Sequence, residues 1–399
     1  MRRWWEVSNS LLLSETCKFK LNPTEEQKKI LKELFSTYRS MVEECLKSAI
    51  SMNITSRKRL HESIYGELRR KFRDYPSHYI YTAITVALGM YKSYRRLSRK
   101  RSNIKPPSIE WLKAVLLDDT HLFWFNWGSL KIATHKGHLI ILFRLHEHAE
   151  KFKDWQVKGS RLVKDGDEYY LHVTFKKVVE EEEHEGLLGI DVNEKSIDLA
   201  VIKPDKVRFV KIDISETKYI RDRYFKKRQS IQRKTRGEVK ARLLAKYSKR
   251  ERRRVDAILH KASKIIAEIV VGEKVKPVME KLKNMRERMK YGRRMNRRLH
   301  NMPFRKIQFS ISYKSIERGY KPVYVDARNT SRMCPICGEL NKPNGHTYKC
   351  KGCGFQADKH LVAAWNIATK LQMCRPSPLA AKAINEALKA EVERIVIKC

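Results

Sequence analysis

Cys334-Pro-Ile-Cys337 is followed, after twelve intervening residues, by Cys350-Lys-Gly-Cys353. Each pair has the spacing at which one tight turn aims two thiolates at a single ion. A glycine follows each pair, Gly338 and Gly354, where such a turn needs backbone freedom. Four thiolates close a tetrahedral shell around Zn²⁺ and leave no open position, so the expected site is structural. Soft thiolates also suit iron–sulfur clusters, but paired knuckles at this separation favour zinc. The other cysteines, Cys17, Cys45, Cys374 and Cys399, are scattered. That pattern speaks for metal binding rather than a disulfide framework.

A chain of 399 residues with 42% hydrophobic residues is long and apolar enough for two or three packed domains. Its charge is the larger constraint: 86 Lys+Arg against 45 Asp+Glu leave a formal net charge of +41. An excess of that size repels itself unless a polyanion neutralises it, which points to nucleic acid. An anionic membrane would also attract it, but no apolar run approaches the roughly 18 residues of a spanning helix. The opening MRRWWEVSNSLLLSETC has too short and polar an apolar core for a signal peptide. The expectation is a soluble, cytoplasmic, nucleoid-associated protein with no membrane partner, most simply a monomer.

Along the chain, CKFKLNPTEEQ suggests a strand and then a helix opened by a Thr24/Gln27 capping box. Helices are expected over roughly 56–73 and 77–101, and antiparallel strands through 121–178. The acidic VVEEEEHEG reads as a linker into GLLGIDVNEKSIDLAVI, whose pattern is a hairpin. Residues 216–254 form a basic helical stretch with seventeen Lys/Arg and four acids. An apolar-periodic helix from Val255, a strand at KPVMEKL, a flexible basic segment through 285–306 and a helix at KIQFSISYKSIERGY follow. A strand at KPVYVDA, the cysteine cluster and a last helix over about 359–371 complete the pattern. Strands alternating with helices in this half imply an α/β layer architecture.

Asp191 ends the apolar run LLGID and Glu280 ends KPVME. A carboxylate at the end of a buried strand needs a partner. Two such strands side by side, with a third acid from a helix, make a site for a divalent ion, and hard carboxylates suit Mg²⁺ or Mn²⁺. Asp358, just after the last cysteine, is the candidate third acid, with His360 beside it.

The segments GIDVNEKSIDLAVI, VMEKL, YKSIERGYKPVYVDARNTSRMCPICG and CGFQADKHLVAAWNI resemble successive motifs of the TnpB proteins of bacterial and archaeal insertion sequences. The N-terminal CKFKLNPTEEQ and YPSHYI…YKSYRR are similar to the same family. The resemblance implies an α/β multidomain chain. Residues 1–30 and 121–180 would form an oligonucleotide-binding-type β-barrel, with a helical recognition insertion over 31–120. Residues 186–330 would form an RNase H-like RuvC nuclease domain, with a basic helical insertion at about 216–270. The zinc ribbon would occupy 331–356, the last RuvC helix 357–375 and a C-terminal tail 376–399. The implied activity is RNA-guided DNA cleavage, with an element-encoded guide RNA and target double-stranded DNA as partners.

By position, Asp191 and Glu280 match the family's first two RuvC acids, and Cys334, Cys337, Cys350 and Cys353 match its ribbon. Where the family commonly shows Asp-Arg-Asp-x-Asn-Ala-Ala, this chain reads Asp358-Lys359-His360-Leu361-Val362-Ala363-Ala364. His360 therefore stands at the second aspartate, and Val362 replaces the Asn. Three outcomes stay open: Asp358 supplies the third carboxylate, His360 binds metal or passes a proton itself, or neither does and the scaffold binds without cutting. A direct strand-transfer transposase is a further alternative, against which the resemblance counts. The basic stretch 216–254 suits a heteroduplex held by its backbone. Arg286, Arg288, Arg293, Arg294, Arg297 and Arg298 are candidates to contact a strand entering the active site; Tyr291 and Phe304 could stack on bases but are expected first to pack. Trp4, Trp5, Trp124 and Trp127 are expected to pack.

Overall fold

A computed structural model of the protein describes residues 10–101, 103–118, 120–282, 291–371, 382, 384–387 and 392–397. Trp4, Trp5, Cys374, Cys399, Arg286 and Arg288 lie outside them, as does the side chain of Arg294. The described residues fall into two compact units, 14–177 and the remainder. No described helix is long and apolar enough to cross a membrane.

In the first unit, strand β1 (Ser10–Lys20) leads into α1 (Glu25–Ser51), α2 (Arg57–Lys71) and α3 (His78–Ser98). The expected capping box is present: the Thr24 hydroxyl accepts from the Gln27 amide, and the Gln27 side chain accepts from the Thr24 amide. Strands β2 (Ala114–Leu117), β3 (Phe123–Asn126), β4 (Ser129–Thr134), β5 (Gly137–Leu142), β6 (Gln156–Asp165) and β7 (Glu168–Glu180) follow. They form a four-stranded sheet ordered β1-β7-β6-β2 and a three-stranded sheet β3-β4-β5. The three helices are thus inserted between two strands of one sheet. β2 lies inside the stretch expected to be a helical insertion. Trp127 stacks on Phe175, and Trp124 packs edge-on against His138.

The second unit is built on a six-stranded mixed sheet. β8 (Gly186–Val192), β9 (Ser196–Ile202) and β10 (Val207–Asp213) form an antiparallel meander. β11 (Val275–Glu280) and β12 (Val323–Val325) extend it parallel to β8. On the far edge, Glu393–Val396 pairs parallel with β10, so part of the expected tail is an edge strand. β10 was not anticipated, although KVRFVKID alternates apolar and polar residues as an edge-side strand should.

Because successive side chains on a strand point to opposite faces, this sheet carries two different surfaces. Leu188 and Ile190 of β8, Ile197, Leu199 and Val201 of β9, and Val210 and Ile212 of β10 face one core. That core is closed by the apolar stripe Ile258, Leu259, Ala262, Ile266 and Val270. These residues belong to α5 (Gly237–Gly272), which follows α4 (Ser215–Lys234) after a break at Thr235–Arg236. The basic and apolar segments were expected to part at about residue 254. Instead the apolar stripe continues a helix whose first half is basic, and the chain turns at Gly237, where φ is +54°. The expected flexible segment contains α6 (Arg293–Asn301), followed by α7 (Phe304–Ile316).

The other face receives the last helix, α8 (Lys359–Thr369), in which Leu361 through Ala368 are all buried. Gly189 makes this possible. A Cβ at that position would sit 1.9 Å from the Ala364 carbonyl oxygen and 2.9 Å from the Ala368 amide. The helix backbone therefore rests directly on β8, two residues before Asp191. Overpacked cores typically lose about 1–3 kcal/mol, and Gly189→Ala is expected to lose about 3 kcal/mol because backbone on both sides must move. Chemical denaturation measures this; an unchanged midpoint would show that the helix does not rest where described.

Candidate nuclease centre and zinc ribbon

The alternation that places Gly189 under α8 places four ionisable groups on the same face: Asp191 (β8), Asp198 (β9), Lys211 (β10) and Glu280 (β11). The hairpin register sets Asp191 directly opposite Asp198. Met279 pairs with Ile190 in the parallel register, which brings Glu280 to the level of Asp191 at the carboxyl ends of adjacent strands. Asp191 is 8% exposed and Asp198 fully buried.

Asn193, in the turn after β8, donates to Asp191 Oδ2 at 2.7 Å and to Asp198 Oδ2 at 3.1 Å. Ser196 Oγ donates to the same Asp198 oxygen at 2.6 Å. His360 Nδ1 lies 3.2 Å from Asp191 Oδ2. Lys211 Nζ lies 3.3 Å from Asp198 Oδ1 and donates to Asp358 Oδ2 at 2.9 Å. The other Asp358 oxygen caps α8 by accepting from the His360 amide at 2.9 Å. Both candidates from the ADKH stretch therefore reach the sheet, but differently. His360 meets Asp191, whereas Asp358 is held by Lys211 and by its own helix.

The electrostatics follow from burial. Desolvation raises the Asp198 carboxyl above its ordinary value, against Ser196 and Lys211, and the Asp191 charge adds to the rise. Burial alone would also raise Asp358, but the His360 amide and Lys211 outweigh it and hold that carboxyl low. Glu280 is pushed to about 7, first by burial and then by the Asp191 charge, although the Thr330 hydroxyl donates to it at 2.5 Å. The donor atoms of Asp191, Asp198 and His360 all lie within 4.8 Å of one another. Buried like charges with a nitrogen donor in reach fit a divalent cation. Asp198 and Lys211 were missed by the sequence reading, though both share the strand-face parity of Asp191.

A cleft of about 880 Å³ opens beside His360 and is lined by Lys195, Lys211, Arg298, Lys359 and Arg394 among others. Of the predicted nucleic-acid contacts, Arg293 is exposed. Arg298 pairs with Glu194, and Arg297 stacks on Phe225 with its guanidinium 3.8 Å from the ring centre. Tyr291 is exposed and Phe304 half-buried.

The ribbon lies at the start of α8. Cys334 and Cys353 sulfurs are 3.6 Å apart, and those of Cys337 and Cys350 are 3.4 Å apart. Those separations suit four ligands around an ion with Zn–S of about 2.3 Å, so the cluster is compatible with structural zinc. Each knuckle closes alike: the Cys334 amide donates to the Glu339 carbonyl and the Cys350 amide to the Phe355 carbonyl, both at 2.8 Å. Gly338 and Gly354 take φ of +79° and +74°, as their positions demanded. Asn341 Nδ2 lies 3.4 Å from Cys350 Sγ and orients it. The second knuckle joins the hairpin strands β13 (Thr347–Lys349) and β14 (Gln356–Asp358), and β14 runs from it straight into Asp358.

Two family models match the chain. One, described as Cas12f1-like, TNB domain, covers residues 304–367, and the other, described as Uncharacterized protein MJ0013 family, covers residues 34–133. A TnpB-like protein of Methanocaldococcus jannaschii is 34% identical over 262 residues, spanning 63% of this chain and 94% of that protein. A TnpB-like protein of Aquifex aeolicus is 27% identical over 234 residues, spanning 53% of this chain and 76% of that one. A CRISPR-associated endodeoxyribonuclease Cas12f1 of Sulfoacidibacillus thermotolerans is 33% identical over 117 residues, spanning 28% of this chain and 26% of its own.

Two measurements check the centre. Elemental analysis should find one zinc per chain, and Cys350→Ser should lose it together with thermal stability; an unchanged melting temperature in the zinc-free variant would remove the ribbon's structural role. Glu280 binds its proton more tightly folded than unfolded, so between pH 4.5 and about 7 the native state holds the extra proton. Stability should then fall as pH rises through that window and level off above it. The interval, at 1.36 kcal/mol per unit, bounds the loss at about 3 kcal/mol. Glu280→Gln should flatten the slope in zinc-loaded protein without other divalent ions; an unaltered slope would place the proton elsewhere.

Proposed function

The chain belongs to the TnpB-like protein family, and from that premise we propose that it is an RNA-guided DNA endonuclease that hydrolyses phosphodiester bonds at a RuvC-type site. The observation that carries the reading is the convergence of Asp191 and Glu280 at the ends of adjacent parallel strands with His360, 3.2 Å from Asp191, at the head of the helix packed across them. In this reading the mixed sheet with α8 is the RNase H-like nuclease domain and the cysteine cluster its zinc ribbon. The two sheets of residues 14–177, with three helices between β1 and β2, are the oligonucleotide-binding-type barrel and its recognition insertion.

Asp191 and His360 would hold a divalent ion, Mg²⁺ or Mn²⁺, with Glu280 at the same strand ends. Such an ion supplies Lewis-acid polarisation of the phosphate and a more acidic bound water. The protein's own groups do the rest. Asn193 fixes the Asp191 carboxylate in place, and Thr330 does the same for Glu280. Glu280, near neutrality in its proton affinity, can take and release a proton at working pH. Lys195, Lys359 and Arg394 along the cleft attract the phosphodiester backbone. The partners are a guide RNA encoded by the element and target double-stranded DNA, bound through the basic surface of α4 and α5 and the recognition insertion.

Cleavage of guide-matched DNA by the reconstituted complex tests this. Asp191→Ala should reduce it at least about a hundredfold, and undiminished cutting would remove the RuvC assignment. The diversion of Asp358 to Lys211 favours one second reading, a nuclease-impaired RNA-guided DNA-binding protein. It predicts matched-target binding with no divalent-dependent product from the wild-type chain.

A further inference from the structure

The side chains around Asp198 do not balance in charge. Asp191, Asp198 and Asp358 stand against one ammonium, Lys211, which sits 2.9 Å from Asp358 and 3.3 Å from Asp198. Asp191 and Asp198 face each other across the hairpin, and among the described residues the one ammonium paired with them, Lys211, is shared with Asp358. Asp198 is fully buried, and its Oδ1 accepts no hydrogen bond among the described residues. Its other oxygen is occupied by Ser196 and Asn193. A buried carboxylate fixed through one oxygen, whose other oxygen makes no hydrogen bond and faces an ammonium shared with Asp358, keeps a lone pair for an ion. His360 supplies a nitrogen within 4.8 Å of both acids.

Building on the nuclease reading above, we propose that the divalent ion is held by Asp191, Asp198 and His360, that Lys211 keeps Asp358 out of its coordination, and that this donor set takes Mn²⁺ ahead of Mg²⁺. Mg²⁺ demands oxygen ligands in near-ideal octahedral geometry and gives up water reluctantly. An imidazole beside two carboxylates is a borderline donor set, and the softer transition ion Mn²⁺ accepts a nitrogen ligand more readily than hard, oxygen-seeking Mg²⁺. Substituting His360 for the family's aspartate thus changes which ion the centre selects. Lys211 is a positioning residue here: it holds Asp358 as the cap of α8, which sets where His360 begins its reach to Asp191.

The test is a Mn²⁺ titration of the full-length, zinc-loaded protein without nucleic acid, followed by the electron paramagnetic resonance of free Mn²⁺ and repeated with Mg²⁺ as competitor. Asp198→Asn, which keeps the size of the side chain, should weaken Mn²⁺ at least about tenfold, the scale of losing a metal-site partner. His360→Asp should narrow the preference for Mn²⁺ over Mg²⁺ by about tenfold or more. Asp358→Asn should leave Mn²⁺ affinity within about twofold. Circular dichroism and zinc content establish that each variant is folded. Unchanged Mn²⁺ affinity in folded Asp198→Asn, loss of binding in Asp358→Asn, or an unaltered preference in His360→Asp would each overturn the proposal. Because the titration involves no cleavage, the expected pattern in a protein that never cuts matched DNA would sink the nuclease reading and leave this site standing.

Discussion

The contact between the backbone of α8 and the backbone of β8 at Gly189 is where the second unit's geometry is decided. A helix lying on a strand with no side chain between them has almost no freedom to slide, since even a single Cβ at Gly189 would lie 1.9 Å from the Ala364 carbonyl oxygen. The ribbon fixes the other coordinate. Its strand β14 ends at Asp358, whose side chain starts the helix. Asn366, almost fully buried in the middle of α8, donates to the carbonyls of Thr330 and Met333 at the ribbon's entrance. Height above the sheet and axial position are thus set by separate elements, and the His360–Asp191 contact is their result. Val362, where the family commonly carries an Asn, is buried in the core shared by α8, Cys334, Cys350 and Tyr348. An apolar side chain here helps to seat the helix on the ribbon.

Charge is organised at two scales. Near the centre, carboxylates are crowded at low exposure, and each is restrained by a specific donor: Asn193, Ser196, Lys211 or Thr330. Farther out, α4 and α5 carry the dense basic surface, and the apolar stripe that holds α5 to the sheet lies in its second half. Some cationic residues that looked free in the sequence are committed within the protein. Arg298 is paired with Glu194, and Arg297 lies over Phe225. Arg298 lines the cleft, alongside Lys195, Lys359 and Arg394.

The parts legible in the sequence were those with a local chemical signature. Knuckle spacing announced the ribbon, and two apolar runs ending in acids announced β8 and β11, with Asp191 and Glu280 at their ends. The capping box marked α1. What was not legible depended on pairing between segments. Asp198 looked like an ordinary polar position of a hairpin until the register set it opposite Asp191. Lys211 sits on a strand whose residues resemble its basic neighbours, so its place opposite Asp198 shows only in the pairing of β9 with β10. The end of α4 has neither proline nor an apolar change to mark it; the chain turns at Gly237 between two equally basic segments. That Asp358 is held by Lys211 was not legible in one dimension, because the lysine lies 147 residues before it.

A chain directed by an RNA should carry that RNA through purification, and the most direct measurement is sequencing of the RNA that copurifies with the full-length protein. The account predicts a discrete, abundant species, depleted when the basic residues of α4 and α5 are neutralised. An RNA population indistinguishable from that recovered with an unrelated basic protein would contradict it.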